Sequence, residues 1–502
     1  MRRGMKRGKG RILAIDQGTT GTTALVLDER ARVVARGYAE LPQHFPRPGW
    51  VEHRGEEIWA TSLRAIGAAL RRSGARAGDL ATIGITNQRE TTLLWDRATS
   101  RPVAPAIVWQ DRRTAERCAA LRRAGHEPAI ARRTGLRLDP YFSATKLEWM
   151  LRNDRSLPAR ARRGALAFGT VDSWLLWKLT GGRVHATDPT NASRTLLLDL
   201  RRLRWDSSLT RRFGVPEALL PEVRPSAGDF GVTRGVPGLP DGIPIRGVAG
   251  DQQAALFGQG CVAAGGIKNT YGTGCFLVLH TGRKAKASRS GLLTTAACGS
   301  RGEPAYALEG SVFIAGAAVQ WLRDGLEVLT DAAESEAIAR SVRDAGGTVL
   351  VPAFAGLGAP HWRPDARGLW TGITRGTTRA HLVRAALESI AFQSRDLVRA
   401  MERDAGTRIR ILKVDGGAAG NDFLMQFQAD ILGAAISRPA MLESTALGAA
   451  CLAGIGVGIW DRREDVPAPA RGARLFRPGL TRAARARRIG EWEAAVALLL
   501  RK

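Results

Sequence analysis

The sequence predicts an α/β protein with two lobes that face a shared cleft. At 502 residues the chain is longer than a single hydrophobic core usually grows, so two large domains are expected. A strand, a polar Gly/Thr turn and a second strand follow one another at residues 11–27, and the same order recurs at residues 267–280. We therefore predict a basic tail at residues 1–10, one lobe at residues 11–255 and a second lobe at residues 256–502.

The first lobe is predicted to begin with the hairpin and to continue with alternating helix and strand. In chain order, the predicted elements are strands at residues 11–16, 24–27 and 33–35, a helix at 58–70, and strands at 81–85 and 243–249. The apolar run at residues 81–85 ends in the polar segment 86–90, so this strand is expected to carry that segment to an edge of the sheet. A helix is predicted to start at residues 252–257.

The second lobe is predicted to repeat this arrangement. Its predicted elements are strands at residues 267–270 and 276–280 around a turn at 271–274, a strand at 411–414, a Gly-rich turn at 415–421 and a helix at 422–432. The match between the two halves places both hairpin turns at the shared cleft.

The net charge of the chain is strongly positive. Lys and Arg total 75 against 47 Asp and Glu, a formal net charge of +28, which by itself suggests a nucleic acid or another anionic partner. The arginines are spread along the chain, however, and are not gathered in one block with interleaved aromatics. A dedicated nucleic-acid site needs a concentrated basic stripe or a recognisable module. We therefore predict no nucleic-acid partner.

Cysteine usage and hydropathy favour a cytoplasmic protein without membrane insertion. The five cysteines are widely spaced and contain no CxxC pair, so neither a disulfide framework nor a zinc site is indicated. The first ten residues are basic but lack the apolar core of a secretory signal. The longest uncharged stretch, residues 444–460, is Gly-rich and shorter than the roughly 20 apolar residues of a membrane-spanning helix.

Both hairpin turns have the composition of a phosphate-binding turn. Gly18-Thr19-Thr20 and Gly272-Thr273-Gly274 offer backbone amides that no bulky side chain blocks, together with threonine hydroxyls. One such turn alone is usually an ordinary hairpin. Two in matching contexts favour nucleotide binding, and the sequence has neither a GxxxxGK[ST] motif nor the motif set of protein kinases. Asp16, at the end of the first strand, is suited to Mg²⁺, although an Asp that only caps a turn is equally compatible with the pattern.

Eight segments resemble the glycerol kinases of the wider FGGY carbohydrate-kinase family. They are DQGTT at residues 16–20, PGWVEH at 48–53, ITNQRETT at 85–92, TDPTNASRT at 187–195, GDQQAALFG at 250–258, NTYGTGCF at 269–276, PAFAGLGAP at 352–360 and VDGG at 414–417. The resemblance runs from about residue 12 to residue 477. It implies an actin-like, ribonuclease-H-like fold in each lobe and ATP-dependent, Mg²⁺-dependent phosphorylation of glycerol to sn-glycerol 3-phosphate, the entry step of glycerol catabolism. It also suggests a homodimer or homotetramer.

The resemblance assigns site residues on both sides of the cleft. Glycerol is implied to contact Arg89, Glu90, Trp109, Tyr141, Asp251, Gln252 and Phe276. ATP is implied to contact Thr19, Thr20, Gly21, Thr273, Gly316, Gln320, Gly417 and Asn421. Asp251 is implied to act as the general base and Asp16 as the Mg²⁺ ligand. The residue types suit these roles, because a triol needs charged and amide partners for its hydroxyls and an apolar wall for its carbons.

Three departures from the family pattern affect these expectations. Many members carry Ser and then Arg after the first turn, where this chain has Gly21 and Thr23, so one cationic contact to the ATP phosphates is expected to be missing. Residues 240–242 (PDG) replace the Gly-Gly-Thr-Arg pattern tied to fructose 1,6-bisphosphate inhibition in some bacterial members. Residues 481–488 are Arg-rich instead of acidic, which puts docking of a sugar-transport regulatory protein in doubt.

Three other functions stay open on the sequence. A pentulose or other sugar kinase would use the same ATP-binding turns, and only the acceptor residues around Arg89, Trp109 and Tyr141 favour a three-carbon polyol. Chaperone or filament ATPases share the fold but phosphorylate no acceptor. A basic nucleic-acid binder would lose affinity steeply with salt.

Overall fold

Two sheets flanked by helices form the framework of the protein. The computed structural model describes residues 10–74, 76–363, 365–441, 443–467 and 472–501, so residues 1–9 of the predicted basic tail lie outside the described residues. The strands are β1 (Arg11–Gln17), β2 (Gly21–Leu27), β3 (Val33–Glu40), β4 (Glu52–His53), β5 (Leu80–Asn87), β6 (Leu93–Asp96), β7 (Ala106–Ile107), β8 (Leu166–Gly169), β9 (Ala186–Thr187), β10 (Leu198–Asp199), β11 (Arg204–Trp205), β12 (Glu222–Val223), β13 (Ile245–Gly250), β14 (Ile267–Tyr271), β15 (Cys275–Gly282), β16 (Leu293–Cys298), β17 (Pro304–Val312), β18 (Val349–Val351), β19 (Leu369–Thr371), β20 (Ile411–Asp415), β21 (Ala435–Arg438) and β22 (Arg474–Phe476). The helices are α1 (Gly55–Ser73), α2 (Ala115–Arg123), α3 (Glu127–Thr134), α4 (Ser143–Asn153), α5 (Leu157–Arg162), α6 (Val171–Leu179), α7 (Pro189–Ala192), α8 (Ser207–Arg212), α9 (Asp251–Gly258), α10 (Gly316–Asp324), α11 (Glu334–Arg340), α12 (Arg379–Ala405), α13 (Asp422–Leu432), α14 (Ser444–Gly456) and α15 (Arg482–Leu500).

The two large sheets share one strand pattern. The first has the order β13-β5-β1-β2-β3, in which β1, β2 and β3 are antiparallel neighbours while β5 and β13 continue parallel to β1. The second contains the same pattern as β21-β20-β14-β15-β17, with β16 and β22 added at its two ends. The predicted repetition between the halves is therefore confirmed, and the β14–β15 hairpin is the counterpart of the β1–β2 hairpin.

Helices α9 and α14 pack against each other where the two halves meet. A Cβ on Gly448 of α14 would lie 1.8 Å from the Ala254 carbonyl oxygen of α9, so only glycine permits this approach. Helix α14 also covers the first sheet, where a Cβ on Gly84 of β5 would lie 2.2 Å from the Ala449 carbonyl oxygen. A helix from late in the chain thus packs on the first sheet. The division of the chain near residue 255, a position within α9, stays a prediction.

Helix α1 and strand β3 extend beyond their predicted bounds. Helix α1 carries Glu56 and Glu57 in its first turn and arginines in its last turn, which complement the helix dipole, and Gly74 ends it with a φ of 62°. Strand β3 continues to residue 40 because its residues alternate between exposed and buried positions. The buried residues of β3 are small, so the hydrophobic pattern that predicts a strand is weak there.

Each large sheet has its own hydrophobic core. The first core contains Leu13, Ile85 and Trp174, and the second contains Leu277 and Phe392. Within the part of the chain that the structure describes, no helix has both the length and the apolar character needed to cross a bilayer.

All five cysteines are free thiols in buried positions. Burial raises the pKa of Cys118, Cys261 and Cys451 to about 11 and that of Cys275 to about 12, so reactive thiolate is scarce at neutral pH. We expect a thiol reagent such as DTNB to label none of the five in the native protein and all five after unfolding in guanidinium. Rapid labelling of even one thiol in the native protein would contradict this burial.

Candidate active site

The turns of the two matching hairpins are closed in the same way and remain open to solvent. In residues 18–21 the first amide donates to the last carbonyl oxygen at 2.9 Å, and in residues 272–274 the first amide also donates to the last carbonyl oxygen at 2.9 Å. Thr20 and Thr273 are exposed. Exposed amides and hydroxyls at a glycine-containing turn are suitable donors for phosphate oxygens. Both predicted phosphate-binding turns are therefore accessible to a ligand.

Trp109 connects the first turn with the other predicted acceptor aromatics. Its indole Nε1 donates to Thr19 Oγ1 at 2.9 Å. The Trp109 ring centroid lies 5.6 Å from that of Tyr141 and 6.3 Å from that of Phe276, both in edge-on geometry. Phe276 belongs to β15 of the second sheet, whereas Trp109 follows β7. The three rings form an apolar wall to which both halves of the chain contribute.

Arg89 and Asp251 meet at one edge of the first sheet. They follow β5 and β13, which are adjacent parallel strands, so both side chains emerge at the carboxyl ends of the strands. Arg89 Nε lies 3.0 Å from Asp251 Oδ1; the Arg89 side chain is buried, but 30% of the Asp251 side chain is exposed. The Asp251 carboxylate is therefore oriented by a buried guanidinium and still open to a ligand.

Glu90 is fixed through both its backbone and its side chain. Its φ of 60° is uncommon for a residue with a side chain and often marks a functional position. The Glu90 carbonyl oxygen accepts from Ser143 Oγ at 3.1 Å and from Lys146 Nζ at 3.4 Å. Its carboxylate accepts from Arg194 Nε at 2.6 Å. Burial raises the pKa of Glu90, an effect that the charges of Arg194 and Arg89 oppose.

A buried lysine holds Gln252, the second residue of α9. Lys268 of β14 donates through Nζ to Gln252 Oε1, to Thr270 Oγ1 at 2.7 Å and to the Phe276 carbonyl oxygen at 3.4 Å. Burial lowers the pKa of Lys268, while nearby carboxylates, Asp415 foremost, act in the opposite direction. Lys268 thus links the Gln252 side chain to the hairpin of the second sheet.

Sequence reasoning gave no role to Arg194, Lys268 or Glu309. Lys268 and Glu309 are fully buried charges in the otherwise uncharged strands β14 and β17. A charge in a buried strand is rare unless it is paired, so these two positions did carry a signal. Arg194 lies within the TDPTNASRT segment, but nothing in the sequence indicates its partners.

Asp16 lies in β1 immediately before the first turn, where Mg²⁺ was predicted. Burial and the negative charges of Asp251 and Glu443 raise the pKa of Asp16 to about 7. Among the described residues no group of three His, Cys, Asp or Glu side chains could enclose a metal ion. Mg²⁺ usually retains waters and binds one or two carboxylates together with phosphate oxygens. Mutually repelling carboxylates beside an open phosphate-binding turn fit that mode of binding.

Glycines bring the predicted nucleotide segments close to the second turn. The Gly316 amide donates to the Gly272 carbonyl oxygen at 3.0 Å, and a Cβ on Gly316 would lie 2.6 Å from that oxygen. Gly416, with a φ of 86°, is similarly close to Tyr271, since a Cβ there would lie 2.4 Å from the Tyr271 carbonyl oxygen. Gly417 beside it faces open space. Backbone contact accounts for Gly316 and Gly416, and Gly417 leaves room for a ligand.

Three further predicted nucleotide residues differ in their surroundings. Gln320 is exposed on α10. Asn421 caps α13 through its Oδ1, and its Nδ2 donates to Ser335 Oγ at 3.3 Å. Gly21 is buried, and a Cβ there would lie 2.5 Å from the Tyr38 hydroxyl oxygen. Tyr38 thus occupies the space that a larger residue at position 21 would need. The nucleotide roles of these three residues stay predictions.

Two buried carboxylates support α7, the short helix that precedes Arg194. Asp188 caps α7 by accepting from two backbone amides at 3.0 Å each. Asp172 accepts from Thr170 Oγ1 at 2.5 Å and from Thr187 Oγ1 at 2.6 Å. Burial and the charge of Asp188 raise the pKa of Asp172 to about 7, although these hydrogen bonds favour the ionised form.

Asp172→Asn is expected to gain stability relative to the wild type as the pH rises from about 5 to about 8. The folded-state pKa of about 7 lies above the unfolded value of about 4, so the stabilising contribution of Asp172 is complete below about pH 4 and is lost as the pH rises through about 7. A difference of roughly three pKa units corresponds to at most about 4 kcal/mol. The check is the melting temperature of both proteins across this pH range. A constant difference in melting temperature would contradict the raised pKa.

Models of one family match most of the chain. The model of the N-terminal domain of the FGGY family of carbohydrate kinases matches residues 11–258, and the model of the C-terminal domain matches residues 267–457. The chain belongs to the FGGY family of carbohydrate kinases. The predicted fold class, two actin-like lobes of α/β structure, and the predicted kinase class are thereby confirmed.

Relatives within this family match the chain over nearly its whole length. The glycerol kinase of Myxococcus xanthus (strain DK1622) is 55% identical over 487 residues, which cover 97% of this chain and 98% of the relative. The glycerol kinase of Shewanella sp. (strain MR-7) is 54% identical with the same coverage. Among solved structures, Plasmodium falciparum glycerol kinase with ADP has a TM-score of 0.92 at 36% identity and covers 98% of this chain and 99% of its own. A xylulose kinase from Rhodospirillum rubrum has a TM-score of 0.85 at 25% identity, with 97% and 99% covered.

Proposed function

We propose that this FGGY kinase transfers the γ-phosphoryl group of ATP to glycerol and forms sn-glycerol 3-phosphate. The observation that carries the proposal is the 2.9 Å hydrogen bond from Trp109 to Thr19, which joins the proposed acceptor residues to the proposed phosphate-binding turn. The relatives named glycerol kinase, 53–55% identical over 97% of the chain, support glycerol as the acceptor.

The pocket suits a three-carbon polyol. Hydroxyl groups need hydrogen-bond partners and the carbons need an apolar surface. Charged groups of Arg89, Glu90 and Asp251 serve the hydroxyls, and the rings of Trp109 and Phe276 cover the carbons. The edge-on packing of Trp109 against Tyr141 and Phe276 gives the acceptor a fixed apolar surface.

Asp251 orients the attacking hydroxyl and accepts its proton. The carboxylate is partly exposed, and its 3.0 Å contact with Arg89 Nε fixes its direction. Because phosphoryl transfer has a loose transition state, a base mainly positions the hydroxyl and takes the proton late. Mg²⁺, held by Asp16 and by phosphate oxygens, would neutralise charge on the transferring group.

The two turns hold the phosphates from opposite halves of the chain. Their amides and threonine hydroxyls donate to phosphate oxygens, and closure of the halves around the ligand keeps water away from the reacting phosphorus. The absence of a cation at Gly21 and Thr23 leaves this stabilisation to hydrogen bonds and the metal. We also propose a cytoplasmic location and a homodimeric or homotetrameric state. Light scattering coupled to gel filtration would test the oligomeric state.

An acceptor panel tests the proposal. The protein is incubated with Mg-ATP and glycerol, dihydroxyacetone, xylulose or ribulose, ADP formation is measured, and the product is identified by mass spectrometry and phosphorus NMR. Glycerol is expected to be the preferred acceptor, with the phosphate on a terminal carbon. Turnover of a pentulose but not of glycerol would overturn the acceptor and keep the kinase class. ATP hydrolysis without any phosphorylated acceptor would favour an ATPase instead.

A further inference from the structure

Four charged side chains lie buried together at the acceptor pocket. Arg89, Glu90, Arg194 and Glu309 are each at most 3% exposed, and their formal charges cancel. We call these four residues the buried charge cluster. Burying charges is costly unless each is paired and hydrogen-bonded, so the arrangement depends on all four members.

Glu309 holds both arginines of the buried charge cluster. Its Oε2 accepts from Arg89 Nη1 at 2.5 Å, and its Oε1 accepts from Arg89 Nη2 at 3.1 Å and from Arg194 Nη2 at 2.9 Å. Burial alone would raise the pKa of Glu309, but the two arginines lower it to about 2, so the carboxylate is ionised at neutral pH. One carboxylate thus keeps two positive groups side by side.

The Nε atom of each arginine contacts a carboxylate of the acceptor pocket. Arg89 Nε lies 3.0 Å from Asp251 Oδ1, and Arg194 Nε lies 2.6 Å from Glu90 Oε1. A guanidinium is planar and rigid, so anchoring its terminal nitrogens also sets the direction of its Nε. The position of Glu309 therefore governs where the carboxylates of Asp251 and Glu90 are held.

Glu309 reaches the cluster from the opposite sheet. It lies on β17 of the second sheet, whereas Arg89 and Arg194 belong to the first half of the chain. A parallel link runs through Gln253, whose Oε1 accepts from Arg89 Nη1 at 3.2 Å and whose Nε2 donates to Thr295 Oγ1 of β16 at 3.2 Å. The acceptor pocket is thus fixed across both sheets.

We propose that Glu309 is a positioning residue for phosphoryl transfer, which holds Arg89 and Arg194 from the second sheet so that Asp251 and Glu90 face the acceptor. This inference rests on the proposed function, because it assumes that a polyol binds at these two carboxylates. In this proposal the fully buried Glu309 acts through the two arginines and makes no contact of its own with the acceptor or the phosphates.

The test compares Glu309→Gln and Glu309→Asp with the wild type. Glutamine keeps the size of the side chain but places an amide donor against guanidinium donors, so kcat/KM for glycerol is expected to fall at least about 30-fold, mainly through a higher KM. The KM for ATP is expected to stay within about threefold. Aspartate keeps the charge and is expected to recover part of the loss. Glycerol binding, followed by tryptophan fluorescence and calorimetry, is expected to weaken in the same order.

Glu388→Gln is the matched control, because Glu388 is also a buried glutamate between two arginines, Arg384 and Arg488, but lies outside the pocket. This variant is expected to lose thermal stability and keep the wild-type KM for glycerol.

If Glu309→Gln fails to fold, Glu309→Asp with an unchanged KM for glycerol and unchanged glycerol binding would overturn the inference. A folded Glu309→Gln whose kcat and KM for glycerol are both unchanged would also overturn it, because Asp251 and Glu90 would then keep their positions without the charge of Glu309. Failure of the wild type to phosphorylate glycerol would instead overturn the proposed function.

Discussion

Asp251→Asn is expected to lower kcat for glycerol phosphorylation by at least about 10²-fold, the lower end for loss of a general base. Asparagine has nearly the same shape as aspartate. Its side-chain oxygen can still accept from Arg89 Nε, which lies 3.0 Å from Asp251 Oδ1 in the wild type, and from the Gln252 backbone amide. It cannot take the proton of the attacking hydroxyl. Because Asp251 lies at the acceptor end of the site, the KM for ATP is expected to change little. Steady-state kinetics with a coupled ADP assay measure both quantities.

Asp206→Asn is a suitable control for this substitution. Asp206 caps the start of a helix, α8, where its carboxylate accepts from two backbone amides, and it pairs with an arginine, Arg133, at 3.2 Å. It lies outside the candidate active site, so this variant is expected to keep the wild-type kcat. Near-normal turnover of Asp251→Asn would show that the hydroxyl proton leaves by another route and would remove Asp251 from the mechanism.

Much of the fold could be predicted because the first strands contain continuous apolar runs. Residues 12–15 of β1 (ILAI) and residues 24–27 of β2 (ALVL) are all buried, and each run predicts a buried strand. Helix α13 was predicted with the bounds that the structure shows, since a Gly-rich turn precedes it and Gly433 ends it with a φ of 69°. The placement of α14 on the first sheet could not be predicted. It depends on the contact of Gly84 with the backbone of Ala449, 365 positions later, which no local pattern encodes.

The candidate site was predictable where it depends on adjacent residues and not where it depends on residues far apart in the sequence. The phosphate-binding turns were predictable because a turn is specified by adjacent residues, and the acceptor set followed from the resemblance. The partners of these residues were not predictable. Arg89 and Glu309 are 220 positions apart, and only the folded chain shows that one carboxylate serves two arginines. The roles of the individual site residues stay predictions that the substitutions described here test.

Arg89→Lys is expected to lower kcat/KM for glycerol by about 10² to 10³-fold, although it keeps the charge. Arg89 reaches Glu309 with two nitrogens and Asp251 with a third, at 2.5, 3.1 and 3.0 Å. A lysine ammonium is a single point of charge and cannot span both carboxylates, so either Asp251 or Glu309 loses its contact with residue 89. The KM for glycerol is expected to rise strongly, and the KM for ATP to stay within about threefold, in the same steady-state assay.

Arg117→Lys is the control for Arg89→Lys, because it removes a bidentate arginine–carboxylate ion pair elsewhere in the protein. Arg117 binds Glu148 through Nε and Nη2 at 2.9 Å each, and neither residue belongs to the acceptor set that we assign. This variant is expected to keep the wild-type kinetics for both substrates. If Arg89→Lys behaves in the same way, charge alone at position 89 is sufficient, and the geometry of the guanidinium does not orient Asp251. If only Arg89→Lys loses glycerol affinity, the bidentate geometry of the Arg89 guanidinium, which contacts both Glu309 and Asp251, is needed to position the acceptor site.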